Sequence, residues 1–382
     1  MAWRIPLSDI DYGPEEEQAV LDVLRSRWLT MGDVTKRFEQ AFADFLGVRH
    51  AIAVSNATAG LHLACRALDI KPGDEVILPA LTFVAAAAAV RYVGAHPAFA
   101  DVCSETDLTV SPVSIAQNIT PRTRAVMVMH YGGYPCDMPA IESLAKKHGL
   151  AMIEDAAHAP GTELNGRKTG AWGDIGVFSF FSNKNLVTGE GGMLTTNDDA
   201  LAEKLRLMRS HAMTSLTWDR HQGHAWSYDV TDLGYNYRIS EIASALGLAQ
   251  LQKLERNNQR RRELTSHYHR LLETGCPNLG LPFVSHRGLS SCHLLPVLLP
   301  QNVERTRFMD GMKSKGIQTS FHYPLIPGFR FYHTPDQVIL PVTQQIARRE
   351  VTLPLYPTLS FDEVATVVAA VGEALEECSQ AA

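Results

Sequence analysis

The chain has 382 residues, of which 45% are hydrophobic and 20% charged, and 35 basic against 41 acidic side chains leave a net charge of −6. That length holds two domains, or one large domain and a smaller companion, with the composition of a soluble enzyme. No basic stripe interrupts the acidic balance, which argues against nucleic acid or an anionic membrane as a main partner. The six cysteines, Cys65, Cys103, Cys136, Cys276, Cys292 and Cys378, show no CxxC spacing and fit reduced thiols in a cytoplasm. The opening MAWRIPLSDIDYG lacks the apolar stretch of a signal peptide. The longest apolar run, residues 76–90, contains Pro79 and Thr82 and is too short to span a bilayer.

After an extended lead-in over residues 1–12, Pro14-Glu15-Glu16-Glu17 puts proline and acid in the first turn of a helix reaching about Arg27. A loop, Arg27 to Gly32, leads to a second helix over 35–46, with Phe38, Phe42, Phe45 and Leu46 on one face and Gly47 as its stop. Strands and helices then alternate. Strands are expected at 51–54, 74–78, 97–100, 125–129 and 151–154, and helices at 60–68, 84–93, 111–118 and 138–148. Near-continuous apolar strands alternating with helices specify a mostly parallel sheet covered on both faces. Two further strands, 175–181 and 192–196, enclose a polar hairpin, and a helix over 199–210 follows.

Residues 211–235, rich in Trp, His and Tyr, read as an excursion loop. It is either an irregular packed connection or a substrate-contacting element, with Trp218, Arg220, His221 and His224 as candidates. His221 and His224 form an HxxH without a carboxylate or cysteine partner, so no metal is assigned. A long helix over 240–269 carries Ile242, Leu246, Leu248, Leu251 and Leu254 and ends in a solvated Arg260-Arg261-Arg262 face. Beyond Gly275-Cys276-Pro277, strands at 293–299 and 318–321 and helices at 303–315, 343–352 and 361–377 suggest a small α/β C-terminal domain. The expected division is 1–250 for the large domain and 251–382 for the small one. There is no internal repeat.

Ligands of parallel α/β sheets bind beyond the carboxyl ends of the strands, so the residues there are the ones to inspect. Ser55-Asn56-Ala57-Thr58-Ala59-Gly60 opens a helix with small residues and free N–H groups, either an anion site or an ordinary N-cap. No GxxxxGK[ST] or GxGxxG is present. Phe83 is either a stacking platform for a flat ring or a core residue. Asp155, among alanines at a strand end, is either the partner of a cation or an N-cap. Ser179, in an aromatic strand, is either a phosphate ligand or a satisfied core hydroxyl. Lys184 stands in the hairpin before Thr188-Gly189-Glu190-Gly191-Gly192. It is either a solvated hairpin lysine or, with its amine neutralised by burial, the Schiff-base lysine of a carbonyl chemistry. A phosphate cradle, a ring platform, a carboxylate for a ring nitrogen and a lysine for an aldehyde are together the requirements of pyridoxal 5'-phosphate.

At these residues the chain resembles the DegT/DnrJ/EryC1/StrS sugar aminotransferases of fold type I. The resemblance is carried by Trp28-Leu29-Thr30, Gly73-Asp74-Glu75-Val76-Ile77, Glu154-Asp155-Ala156-Ala157-His158-Ala159 and Phe178-Ser179-Phe180. It continues through Lys184 with its glycine run, Gly234-Tyr235-Asn236-Tyr237-Arg238 and Leu353-Pro354-Leu355-Tyr356-Pro357. It implies a large domain with a seven-stranded, mostly parallel sheet and a smaller C-terminal domain. It also implies that Lys184 carries the cofactor and shuttles the proton, that Asp155 pairs with the pyridine nitrogen, and that Phe83 sits against the ring. Thr58, Ala59 and Ser179 would hold the phosphate and His158 would lie nearby. Asn236 would reach the phosphate of the neighbouring subunit of a homodimer with shared sites. The implied reaction moves the amino group of L-glutamate to a nucleotide-activated 4-keto or 3-keto sugar. Alternatives are a keto-inositol acceptor, with glutamine or glutamate as donor, and a non-catalytic regulator on the same fold. Relatives with histidine in place of the lysine act as dehydratases, and Lys184 argues against that branch. Trp28, Thr30, His322 and Tyr323 join the 211–235 loop as substrate-side candidates. Two positions depart from the family's habit: Ala57 where glycine is frequent, and Tyr134 where glutamine is frequent.

Overall fold

A computed structural model of the chain describes residues 3–214, 227–333 and 339–379. The central sheet has seven strands: β1 (His50–Val54), β2 (Glu75–Pro79), β3 (His96–Ala100), β4 (Thr123–Met129), β5 (Ala151–Asp155), β6 (Ile175–Ser179) and β7 (Gly192–Thr196). Their order across the sheet is β1-β7-β6-β5-β4-β2-β3. β7 runs antiparallel to both β1 and β6, and the remaining pairs are parallel. This is the mostly parallel α/β architecture expected.

Strand side chains alternate between the two faces. Ile52, Val54, Val177 and Leu194 pack on one side, against helices α3 (Ala57–Ala67), α4 (Ala85–Tyr92) and α7 (Asp199–Arg209). Ala51, Ala53, Phe178 and Met193 face the other side, where Phe38 and Phe42 of α2 (Asp33–Leu46) meet Leu251 and Leu254 of α8 (Glu241–Gly275). Further along that side, Val126, Val128 and Met152 cover Ile115 of α5 (Pro112–Gln117) and Met138 and Ile141 of α6 (Met138–His148). The first helix, α1 (Pro14–Ser26), packs on α8.

The C-terminal core gathers around the antiparallel pair β8 (Leu295–Leu298) and β9 (Glu350–Leu353), with α9 (Arg305–Ser314), α10 (Pro341–Arg349) and α11 (Phe361–Ser379). Here the expected elements need correction. The helix expected over 343–352 stops at Arg349, and Glu350–Leu353 is a strand. Its Val351 and Thr352 are β-branched, and long-range pairing to β8 supplies hydrogen bonds that helical spacing does not reveal. Residues 318–321, expected as a strand, carry only an isolated bridge, Ser320 to Thr352, with another, Ile5 to Ile317, just before the segment.

α8 passes through position 250 without a break. Its Leu251 and Leu254 belong to the sheet-side core and its Leu264, Tyr268 and Leu272 to the C-terminal core. The lead-in also joins the C-terminal unit: the Arg4 and Ile5 amides donate to the Gly316 carbonyl, and the Leu355 amide donates to that of Leu7.

Candidate active site

The carboxyl ends of β2, β4, β5 and β6 point the same way, and the residues just beyond them line one cleft of about 590 Å³. Its wall includes Asn56, Thr58, Phe83, Met129, Asp155, Ala157, His158, Ser179, Asn183, Lys184, Glu190, His322 and Tyr323. The structure therefore brings together Lys184, Asp155, Thr58, Phe83, His158, Ser179, His322 and Tyr323.

Thr58 sits in the first turn of α3, whose N-cap is Asn56; the Asn56 carboxamide oxygen accepts the Ala59 N–H at 2.8 Å. Ala59 is buried behind that turn and its amide is already engaged. Opposite, β7 begins at Gly192, where a Cβ would lie 2.8 Å from the Ala57 nitrogen and 2.8 Å from the Asn56 carbonyl carbon. Only a glycine lets the start of β7 approach the helix N-terminus so closely, with Ser179 beside it as the register partner of Gly192. A helix N-terminus flanked by two hydroxyls is suited to a phosphate.

Phe83 follows β2 and keeps 53% of its surface exposed, as a ring platform on an open cleft requires. Asp155 ends β5 and is buried; the Ala157 N–H donates to its Oδ1 at 3.1 Å. Burial raises its carboxyl pKa, and the Ala157 N–H and the Lys184 charge oppose that rise.

Lys184 lies in the 180–191 loop, which backbone bonds close: Phe180 N–H to Gly191 O at 2.9 Å, Thr188 N–H to Phe180 O at 2.8 Å, and Lys184 N–H to Phe181 O at 2.9 Å. Enclosure by the cleft wall lowers its amine to about 8, against the opposing pull of Asp155. Beside it, the buried Asn183 Oδ1 has no hydrogen-bond partner among the described residues.

His158 is buried and neutral, since burial first, and then the charge of Lys184, push its pKa well below the usual value. The Gly132 N–H donates to its Nδ1 at 3.3 Å, so Nε2 carries the hydrogen and donates to the Tyr323 hydroxyl oxygen at 2.9 Å. The Tyr323 hydrogen is thereby left for a ligand. The Tyr323 ring lies 5.8 Å from that of Phe83. Beneath this pair the His158 ring packs 4.4 Å from that of His293, whose Nδ1 meets the Asn185 carboxamide at 2.9 Å.

Other expected site residues are not brought to the cleft. Trp28 and Thr30 lie on the connection before α2, Thr30 bridging to Ser240. Asn236 is exposed and bridges to Ser210. Trp218, Arg220, His221 and His224 lie outside the described residues. Tyr134 does not line the cleft either; it stacks on Phe283 at 3.9 Å and 4° and is fully buried. Asn56, Asn183 and Glu190 line the cleft without having been singled out, although all three flank residues that were. All six cysteines are free, and among the described residues no cluster of three His, Cys, Asp or Glu side chains gathers as a metal site. No described helix is long and apolar enough to cross a membrane.

The chain is similar to known proteins over nearly its whole length. Residues 11–372 match the model of the DegT/DnrJ/EryC1/StrS aminotransferase family. The spore coat polysaccharide biosynthesis protein SpsC of Bacillus subtilis is 40% identical over 367 residues, covering 94% of each chain. The Helicobacter pylori aminotransferase PseC, involved in the biosynthesis of pseudoaminic acid, superposes with a TM-score of 0.92 at 30% identity, covering 98% of this chain and 99% of that one. DesI, solved in the presence of its TDP-sugar product, gives a TM-score of 0.88 at 29% identity, over 99% of this chain and 95% of that one. The chain belongs to the DegT/DnrJ/EryC1/StrS family and is a pyridoxal phosphate-dependent aminotransferase.

Proposed function

We propose that the enzyme transfers the amino group of L-glutamate to the keto carbon of a nucleotide-activated 4-keto or 3-keto deoxysugar. The observation that carries the reading is the gathering of Lys184, Asp155, Phe83, Thr58 and Ser179 on one cleft. The acceptor class is supported by SpsC, PseC and DesI, whose names place them in polysaccharide, pseudoaminic acid and TDP-sugar chemistry.

The residues fit the cofactor. The α3 N-terminus opens on the cleft between Thr58 and Ser179, a setting suited to a phosphate, and the orphaned Asn183 Oδ1 is a polar group on the cleft wall with no partner among the described residues. Thr58 and Ser179 would hold the phosphate; the Ala59 N–H can contribute only by sharing its bond to Asn56. Phe83 would support the ring and Asp155 would hold the pyridine N–H, a positive neighbour that favours the ionised carboxylate. Bound pyridoxal phosphate supplies the electron sink that makes the substrate's Cα proton removable. Lys184 takes that proton as general base and returns it as general acid. With its amine at about 8, roughly one lysine in ten is neutral at pH 7, far more than for a solvated lysine. Tyr323, oriented by His158, offers a hydrogen to a substrate oxygen.

Asn236 points to the remaining part of the assignment. Its exposure suits a residue that completes the phosphate site of a second subunit in a homodimer, and Trp28, Thr30 and the 211–235 loop would serve the substrate from the same side. Residues 1–250 would then form the cofactor-binding domain and 251–382 the domain that brings His322 and Tyr323. The test is amino transfer from L-glutamate with a panel of nucleotide-linked keto sugars and keto-inositols. Aminated nucleotide sugar is the expected product. Turnover of keto-inositols alone would replace the acceptor assignment, and no transfer to any acceptor would end it.

A further inference from the structure

We propose that Glu350, Thr352 and His322 form a hydrogen-bond relay in which the proton state of Glu350 decides whether His322 offers a ligand in the cleft a donor or an acceptor. Glu350 and Thr352 lie on β9, each 1% exposed. The His322 backbone N–H donates to Glu350 Oε2 at 2.6 Å, which disfavours a proton on that oxygen and leaves Oε1 for it. Glu350 Oε1 lies 2.6 Å from Thr352 Oγ1, which lies 2.7 Å from His322 Nδ1. Among the described residues no protein group bonds His322 Nε2, and His322 lines the cleft.

A hydroxyl has one hydrogen, so the chain runs in one of two directions. With Glu350 ionised, Thr352 donates to the carboxylate and His322 Nδ1–H donates to Thr352. Nε2 is then bare and accepts. With Glu350 protonated at Oε1, the acid donates to Thr352, Thr352 donates to Nδ1, and Nε2 carries the hydrogen. The ring is neutral in both cases: burial and then the Lys184 charge push His322 down to about 4.

Glu350 is faced by the His322 N–H from the 318–322 segment, Thr352 from its own strand, Arg305 from α9, the Tyr131 hydroxyl from the turn after β4, and Tyr323. His322 is faced by Lys184, His158 and His293. Burial raises the Glu350 carboxyl to about 8, against the pull of Thr352, the His322 N–H and Arg305, so both directions fall within an ordinary working range. Below that pH the cleft offers a hydrogen, which suits a keto or carboxylate oxygen. Above it the cleft offers a lone pair, which suits a hydroxyl. This choice of ligand oxygen rests on the keto-sugar reading above; the relay itself does not.

The experiment is a pH titration of the holoenzyme labelled with ring-¹⁵N histidine. Long-range ¹H–¹⁵N spectra distinguish protonated from bare ring nitrogens, with His322 assigned by loss of its signals in His322→Asn. The hydrogen is expected to move from Nε2 to Nδ1 as the pH rises through about 8. In Glu350→Gln the His322 N–H holds the amide oxygen, so the amide NH₂ donates to Thr352 and Nε2–H persists at every pH. Thr352→Val abolishes the switch and Thr352→Ser restores it, which decides the matter if Glu350→Gln does not fold. A wild-type tautomer unchanged across that range, or a switch surviving Thr352→Val, overturns the relay. A wrong acceptor assignment would show in the transfer assay and leave the tautomers unmoved.

Discussion

The two walls of the cleft are built by different means. The wall proposed for the cofactor comes from strand ends: Asp155 closes β5, Ser179 closes β6, and Thr58 opens α3 directly after β1. Sheet topology alone places them together. The facing wall, His322 and Tyr323, belongs to a segment that makes only isolated bridges. It is held by side chains instead, through Glu350 and Thr352 beneath His322 and through His158 under Tyr323. The difference teaches that the wall proposed for the cofactor is a property of the fold, whereas the wall proposed for the substrate depends on a polar network that a few substitutions can rewire.

The largest expected effect falls on the first wall. Lys184→Ala should lose the visible absorbance of the cofactor-loaded protein and on the order of 10⁴-fold in turnover, the upper range for removal of a general acid–base. An unchanged spectrum would remove Lys184 from the cofactor and end the distinction. A smaller effect is expected on the second wall. Tyr323→Phe removes one hydrogen bond to the ligand, worth roughly 1 kcal/mol, and should lower kcat/KM for the keto sugar by about fivefold with the spectrum intact. Loss of cofactor in that variant would merge the two walls into one site. The smallest effect on turnover is expected away from both. Tyr134→Gln trades the Phe283 stack for a buried amide and should cost roughly 2 kcal/mol of stability, read by chemical denaturation. Its kcat should stay within about twofold of wild type, because Tyr134 does not line the cleft.

The same contrast governs what could be read before the structure. Residues such as Val177 and Phe178, or Met193 and Leu194, announce strands by alternating between two covered faces. The ends of those strands then locate Asp155 and Ser179 without further information. Glu350 and Thr352 carried no such signal, since Glu350–Leu353 follows an amphipathic helix without a glycine or proline between them. Its partner β8 is about fifty residues away in the chain, and pairing at that distance leaves no local period. Trp28 and Thr30 were legible as family motif, but a single chain does not carry them to the cleft.

α8 gives the cleft a mechanical character. At 35 residues it is a rod of roughly 50 Å, one half clamped by the sheet-side core and the other by the C-terminal core. The lead-in is fixed to the C-terminal unit at Ile5 and Leu7 and to the 180–191 loop by the Tyr12 hydroxyl, which donates to the Val187 carbonyl at 3.2 Å. Swinging the walls apart would mean bending the rod or unpacking one end of it. The cleft is therefore a slot of nearly set gauge, and a ligand adjusts it chiefly by turning side chains and moving protons along its rim.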